Sequence, residues 1–165
     1  MLCAIGLVLG AVIGGAGFLM DQKPSASAKP PLMNAASIGG PFTLTDQDGK
    51  TRTEKDYAGT YKLIYFGFTY CPAICPTELQ KTSEALRDLP DDLRAKIQPI
   101  FITVDPERDT VAVMKNYVPL FSKNLIGLTG SVEQIDAVKK TYKVYAAKVP
   151  QDDTYTMDHS SYIYF

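Results

Sequence analysis

The pattern of apolar positions changes period along the chain. Residues 63–68 form a continuous aromatic and β-branched run, which is typical of a strand buried on both faces. From Pro76 onward apolar side chains recur at helical spacing, and proline is favoured at the first helical position, so we predict a helix over 76–89. A second apolar run over 97–104 predicts another core strand.

The rest of the domain continues this alternation. Residues 42–45 and 50–53 predict a β-hairpin, because Gly49 ends the turn between them. A helix capped by Asp109 or Thr110 is expected to run to about Phe121, followed by a short strand over 125–128. A last helix is expected over 131–142. Alternating strands and helices indicate βαβ crossovers and a mainly parallel core sheet.

Two of these predictions concern helix detail. Ser131 and Gln134 have the spacing of a capping box at the start of the last helix. The predicted buried faces of the two later helices are Val111, Met114, Val118 and Phe121 in the first and Val132, Ile135, Val138 and Tyr142 in the second.

The N-terminal stretch is of a different kind. Residues 2–20 contain no charged side chain, and roughly 19 residues at ~1.5 Å each nearly cross a ~30 Å hydrocarbon core. We therefore expect a membrane anchor over 1–21, with a cleaved signal peptide as the alternative because residues 26–28 read Ala-Ser-Ala. Residues 22–37 are rich in Pro, Ser and Ala and predict a linker. The globular domain is expected over 38–165.

Composition narrows the function classes. The chain is 45% hydrophobic and 21% charged, as expected for a globular domain. Its formal net charge is −1 and no basic stripe stands out, which argues against nucleic acid as a partner.

The candidate chemistry lies between the first predicted core strand and its helix. Cys71 and Cys75 occupy this strand-to-helix loop, and a helix N-terminus lowers a thiol's pKa and favours the thiolate. Two thiolates alone underfill a metal site. The single histidine, His159, precedes another aromatic run and is expected in a loop at a strand's end, so it is the candidate third ligand. Spacing alone leaves two alternatives open: the cysteine pair is structural, or the bound metal is zinc instead of copper.

Asp105 follows the second core strand. Ligand sites in open α/β sheets lie beyond the carboxyl ends of strands, where both Cys71 and Asp105 are expected. Asp105 is either a residue that shapes the turn before Pro106 or an outer carboxylate and docking contact near the metal. In the second case Glu107 and Arg108 would be rim residues.

Three motifs then carry a family resemblance. FGFTYCPAICPT at 66–77, VDPERDT at 104–110 and DHS at 158–160 occur in this order, and together they resemble the Sco/SenC copper chaperone family. The resemblance implies a thioredoxin-like α/β sheet flanked by helices, behind the N-terminal hairpin and transmembrane segment. It also implies copper, as Cu(I) or Cu(II), held by Cys71, Cys75 and His159. Family members continue past residue 165 with further elements, so the domain is expected to be C-terminally truncated.

The resemblance also implies a role. This role is to help mature the CuA centre of cytochrome c oxidase. The expected partner is the oxidase subunit that carries this centre, and further expected partners are other copper carriers or thiol reductases. The domain would lie in the periplasm or an equivalent extracytoplasmic space. The alternative is an enzyme, a thiol–disulfide reductase acting through Cys71 and Cys75, and a redox or copper sensor is a third hypothesis. Thioredoxin-type disulfide reductases usually carry a proline at the position of Ser160 and a Cys-x-x-Cys pair. This chain has serine there and a Cys-x-x-x-Cys pair, and both departures favour metal capture.

Overall fold

The computed structural model describes residues 38–165, so the predicted membrane anchor, the linker and Cys3 lie outside the described residues. The elements in chain order are β1 (Thr43–Asp46), β2 (Thr51–Thr53), β3 (Tyr61–Gly67), α1 (Ile74–Arg87), α2 (Asp91–Arg94), β4 (Ile97–Thr103), α3 (Val111–Tyr117), β5 (Ile126–Thr129), α4 (Val132–Tyr142), β6 (Ala146–Gln151), β7 (Thr154–His159) and β8 (Ile163–Tyr164). Within residues 38–165, no helix combines the length and the apolar character needed to cross a bilayer.

Six strands form one sheet in the order β2-β1-β5-β4-β3-β8, and β6 and β7 form a separate hairpin. The central strands β3, β4 and β5 are parallel neighbours, as expected from the predicted crossovers. The outer pairings of β1 with β2, β1 with β5, and β3 with β8 are antiparallel. The prediction of a mainly parallel core sheet is therefore confirmed for its three central strands, and the predicted N-terminal hairpin is present as β1 and β2. The antiparallel pairings of β1 with β5 and of β3 with β8 were not predicted.

Helices cover both faces of this sheet. Tyr65 and Phe101 are paired in the parallel register, with ring centroids 6.3 Å apart, and Tyr117 of α3 packs on Phe101 at 5.6 Å. Successive side chains of a strand point to opposite faces. Phe66 accordingly lies on the other face, where Tyr142 of α4 packs against it at 5.5 Å. The core is thus a sheet between helices, as the sequence predicts.

The start of α1 and the end of α3 differ from the predicted boundaries, and a proline is near each of them. Helix α1 begins at Ile74, two residues before Pro76, because proline is tolerated anywhere in a first turn whose N–H groups lack helical partners. Cys75 consequently lies in the first turn of α1 and not in the preceding loop. Helix α3 ends at Tyr117 and continues as a 3₁₀ turn over Val118–Leu120, which accommodates Pro119.

The capping predictions have a mixed outcome. The hydroxyl of Thr110 accepts the N–H of Val113 and caps α3, and the capping box of Ser131 and Gln134 is present in α4. The prediction that Val132 belongs to the buried face is wrong, since it is 45% exposed. Ile135, Val138 and Tyr142 of the same face are buried, as are Met114 and Val118 of the α3 segment.

The β6–β7 hairpin was not predicted. Strand β6 is largely exposed and contains Pro150, so it has no apolar alternation that would reveal a strand. The turn between the strands places Asp152 at a positive φ of 45°. His159 is the last residue of β7, so the prediction that it lies in a loop is wrong.

Candidate metal centre

The cysteine loop and the Asp105 loop leave the sheet side by side. Gly67 ends β3, Thr103 ends β4, and the two residues are paired in the parallel register. The amide of Val104 donates to the carbonyl of Gly67 at 2.7 Å and extends this contact by one residue. The prediction that both loops emerge at the carboxyl edge of the parallel strands is confirmed.

Cys75 is buried against the sheet at the start of α1. Its sulfur fits because Gly67 has no side chain, since a Cβ atom at residue 67 would lie 2.9 Å from Cys75 Sγ. Cys71 is partly exposed, and its Sγ accepts the backbone N–H of Cys75 at 3.3 Å. Within residues 38–165 both cysteines are free thiols.

His159 faces the buried cysteine with a defined ring nitrogen. Its Nδ1 lies 2.9 Å from the carbonyl oxygen of Ser160, which can only accept a hydrogen bond, so Nδ1 carries the proton. The lone pair of Nε2 is then directed at Cys75 Sγ, 3.5 Å away. Phe68 and Tyr65 contact the imidazole edge-on at centroid distances of 5.7 and 6.4 Å. A backbone hydrogen bond of this kind also sets the tautomer of histidines that ligate metals.

The electrostatics at Cys75 differ from the sequence-based expectation. Burial raises the pKa of the Cys75 thiol to about 12, and its contacts with the peptide group of Phe68 and the hydroxyl of Tyr65 lower it only in part. Desolvation therefore outweighs the partial positive charge of the helix N-terminus. The prediction of a lowered pKa is wrong for this cysteine. Without metal Cys75 is a neutral thiol, and a metal ion must displace its proton.

The three predicted ligands are only partly assembled. Cys75 and His159 are in contact, but Cys71 Sγ faces the amide of Cys75 instead of the imidazole. Among the described residues, no group of three or more His, Cys, Asp or Glu side chains has the arrangement of a metal site. A groove of about 280 Å³ lies beside Cys71 and His159 and is also lined by Phe68, Ile74 and Met157.

The donor atoms nevertheless fit a soft metal ion. A metal bonded to sulfur at about 2.3 Å and to imidazole nitrogen at about 2.0 Å, the values for zinc, spans two ligand atoms at this separation. The observed 3.5 Å between Cys75 Sγ and His159 Nε2 meets that condition. Thiolates select Cu(I) or zinc, and imidazole suits Cu(II) as well.

Asp105 belongs to a neighbouring network and not to this set of donors. It is 1% exposed, and its carboxylate accepts hydrogen bonds from the Arg108 guanidinium and, at 2.8 Å, from the Tyr155 hydroxyl. Arg108 also donates to the Tyr155 carbonyl at 2.8 Å, and its guanidinium lies 3.8 Å from the Tyr155 ring and 4.8 Å from the Tyr70 ring. Arg108 thus ties the Asp105 loop and the cysteine loop to the hairpin that carries His159.

Glu107 and Arg108, which follow Asp105 in the loop, have different environments. Glu107 is half-exposed and pairs with Lys148 of β6. Arg108 is 17% exposed, so it is an internal strut rather than a rim residue.

Asp109 has a structural role beside the site that the sequence did not reveal. It is fully buried, and its carboxylate accepts the backbone N–H of Thr69 at 3.0 Å and the hydroxyls of Thr69 and Thr103 at 2.5 and 2.6 Å. Burial raises the pKa of Asp109, while these hydrogen bonds oppose the shift. Asp109 anchors the cysteine loop to β4. In the sequence its position before Thr110 looks the same as a helix cap, so no local signal distinguishes the two roles.

Known proteins share this architecture and these motifs. The SCO1/SenC family model matches residues 31–165. The chain is 47% identical to Protein SCO1 homolog 1, mitochondrial, of Arabidopsis thaliana, over 88% of this chain and 44% of that protein. It is 41% identical to the SCO2-like protein of Rickettsia felis, over 96% of this chain and 81% of that protein.

A solved structure is also similar to this chain. The structure of Bradyrhizobium japonicum ScoI with copper bound is 53% identical, with a TM-score of 0.74 over 78% of this chain and 82% of that chain. The mixed α/β architecture is thus the thioredoxin-like Sco fold. The chain spans about half the length of several of the curated relatives that it matches. With the family model matched over most of its length, this chain belongs to the SCO1/SenC family.

Proposed function

We propose that this protein carries copper as cargo and delivers it to the CuA-bearing subunit of cytochrome c oxidase. The observation that carries the proposal is the contact between Cys75 Sγ and His159 Nε2, 3.5 Å apart, at the edge of the sheet where Cys71 also lies. The donor set alone would also suit zinc. The relatedness to Bradyrhizobium japonicum ScoI, whose structure is described as copper-bound, supports copper.

In this proposal the three ligands have different tasks. His159 needs no change of tautomer, because the hydrogen bond from Nδ1 to the Ser160 carbonyl leaves Nε2 facing Cys75. The incoming ion would bind the Cys75 sulfur as a thiolate and release its proton to solvent, which makes uptake dependent on pH. Cys71, the more exposed of the two thiols, would meet the ion first and would turn its sulfur from the Cys75 amide into the site. The adjoining groove offers the route by which copper arrives and leaves.

Copper uptake would require both cysteines to be reduced. A disulfide between Cys71 and Cys75 consumes both thiolates, so a reductase partner is expected wherever the compartment is oxidising. We place the domain, residues 38–165, outside the cytoplasmic membrane or in an equivalent compartment, behind an anchor over 1–21 and a linker over 22–37. The uncharged stretch over 2–20 supports the anchor.

The first test measures copper bound to the full chain, purified in detergent with its thiols reduced. We expect one copper per chain, no uptake after oxidation, and weaker binding by His159→Ala. The loss should be larger for Cu(II) than for Cu(I), because two thiolates still hold the softer ion. Asp153→Ala, an exposed substitution on the same hairpin, is the control and should bind as the wild type does. Undiminished binding by His159→Ala would remove the histidine from the site.

The second test separates copper delivery from thiol–disulfide reduction in cells. A reductase attacks with one cysteine and resolves with the other, and it has no need of the imidazole. We expect His159→Ala to lose oxidase activity at limiting copper and to regain part of it when copper is added. Full activity of His159→Ala at limiting copper, together with a disulfide-linked partner trapped by Cys75→Ser, would establish the reductase instead.

A further inference from the structure

The hydroxyl of Tyr65 is a buried polar group without a hydrogen-bond partner. Tyr65 is 3% exposed, and its hydroxyl oxygen has no hydrogen bond of normal geometry within the described residues. A buried hydroxyl that is left unpaired costs free energy, and phenylalanine would fill the same space without that cost. The neighbouring core positions 66, 68 and 101 are phenylalanines. The hydroxyl at residue 65 therefore calls for an explanation.

This hydroxyl lies beside the proposed copper ligands. Tyr65 and Gly67 are two residues apart on β3 and share one face of the sheet. A Cβ atom at Gly67 would lie 2.9 Å from Cys75 Sγ and 3.1 Å from Tyr65 Cε1, so the sulfur and the ring border the same small space. The phenol group has the thiol of Cys75 and the hydroxyl of Ser161 as its polar neighbours. The Tyr65 ring also packs edge-on against His159.

Of the two polar groups beside the Tyr65 hydroxyl, the Cys75 sulfur is the one that the proposed function places on the metal. A thiol sulfur is only a weak hydrogen-bond acceptor, whereas a cysteine that ligates a metal does so as the thiolate. A thiolate is a strong acceptor, and hydrogen bonds to charged groups are roughly twice as strong as neutral ones. With copper bound, the Cys75 sulfur is therefore an acceptor that suits the unpaired Tyr65 hydroxyl.

We propose that Tyr65 is a positioning residue whose O–H donates a hydrogen bond to the Cys75 thiolate in the copper-bound protein. This inference rests on the proposed copper-binding function. The hydrogen bond stabilises the sulfur charge and holds Sγ toward the metal. Hydrogen bonds to a ligating cysteine sulfur also tune the electronic properties of copper sites.

The test is Tyr65→Phe in the full chain, compared with Tyr57→Phe. Tyr57 is a matched control, because its hydroxyl is also buried and unpaired but its charged neighbours are Arg52, Asp46 and Asp56. We expect Tyr65→Phe to weaken copper binding by about tenfold, the lower end for a lost outer-shell partner. The measurements are chelator competition for Cu(I) and the thiolate-to-copper absorption band for Cu(II).

The absorption band separates an electronic effect from a packing effect. Loss of the hydrogen bond raises the energy of the sulfur electrons, so the band should move to longer wavelength in Tyr65→Phe and remain in place in Tyr57→Phe. Thermal denaturation without metal should show Tyr65→Phe to be at least as stable as the wild type, since an unpaired buried hydroxyl is removed.

Three results would overturn the proposal. Copper affinity and spectrum unchanged in Tyr65→Phe would sink it while leaving the copper-binding function intact. Equal losses in Tyr65→Phe and Tyr57→Phe would assign the effect to the core in general. No copper binding by the wild-type chain would remove the proposed function and this inference together.

Discussion

Among substitutions around the site, we expect Arg108→Ala to cause the largest decrease in the free energy of unfolding. The Asp105 carboxylate is almost completely buried, and the Arg108 guanidinium is its charged partner. Removing one member of a buried ion pair costs about 3–5 kcal/mol, because the other charge stays uncompensated. Domains of this size are stable by only about 5–15 kcal/mol, so the loss is a large share of the total.

The other contacts of Arg108 indicate which part of the structure Arg108→Ala will destabilise. Its hydrogen bond to the Tyr155 carbonyl and its stacking on the Tyr155 ring hold the β6–β7 hairpin. These contacts share one side chain with the ion pair, so their free energies do not simply add. Because His159 ends the same hairpin strand, we also expect Arg108→Ala to weaken copper binding.

The assay is urea denaturation of the wild type, Arg108→Ala, Asp105→Asn and the double variant. If the two residues form one charged unit, the double variant will lose less than the sum of the single losses, because no unpaired buried charge remains. Lys115→Ala is the control, since Lys115 pairs with Asp48 at 3.3 Å in an exposed position worth at most about 1 kcal/mol. A loss below about 1 kcal/mol for Arg108→Ala, with additive effects, would refute the argument.

Three further predictions follow from single residues. Cys75 should react with iodoacetamide at pH 8 at least about 100-fold more slowly in the metal-free native protein than in urea. The reason is that burial raises the pKa of Cys75 to about 12 and makes its sulfur inaccessible. Equal rates would contradict this. Burial alone would raise the pKa of Asp46, but hydrogen bonds from Lys50 and Arg52 bring it below its usual value, so its stabilising effect is present above about pH 4 and is lost as pH falls through the lowered pKa. Asp46→Asn should therefore lower stability at pH 7 and flatten its decline in acid, as measured by urea denaturation at several pH values. Gly67→Ala should cost about 1–3 kcal/mol and displace the Cys75 sulfur, with copper binding as the second readout, because the new methyl group would lie 2.9 Å from it.

Local sequence patterns determined the elements whose signals are short-range. The capping box of Ser131 and Gln134 joins two residues three positions apart in one helix turn, and it is present as predicted. The apolar run before Cys71 and the one before Asp105 have apolar side chains at consecutive positions, which suits only a strand covered on both faces. Both runs form central strands, as predicted. The position of the two loops at one sheet edge follows from parallel pairing, and it too was predictable.

Tertiary structure decided what depends on the surroundings of a group rather than on its neighbours in the chain. A helix N-terminus favours a thiolate, but only the folded protein decides that Cys75 is buried deeply enough for desolvation to reverse that preference. The same holds for Asp109, which could have capped a helix and instead holds the cysteine loop to β4. His159 meets Cys75 across 84 residues through a hairpin whose exposed strand carries no apolar pattern. Periodicity records which side of an element faces the core, whereas pKa values and contacts between distant residues are set by the packing of several elements at once.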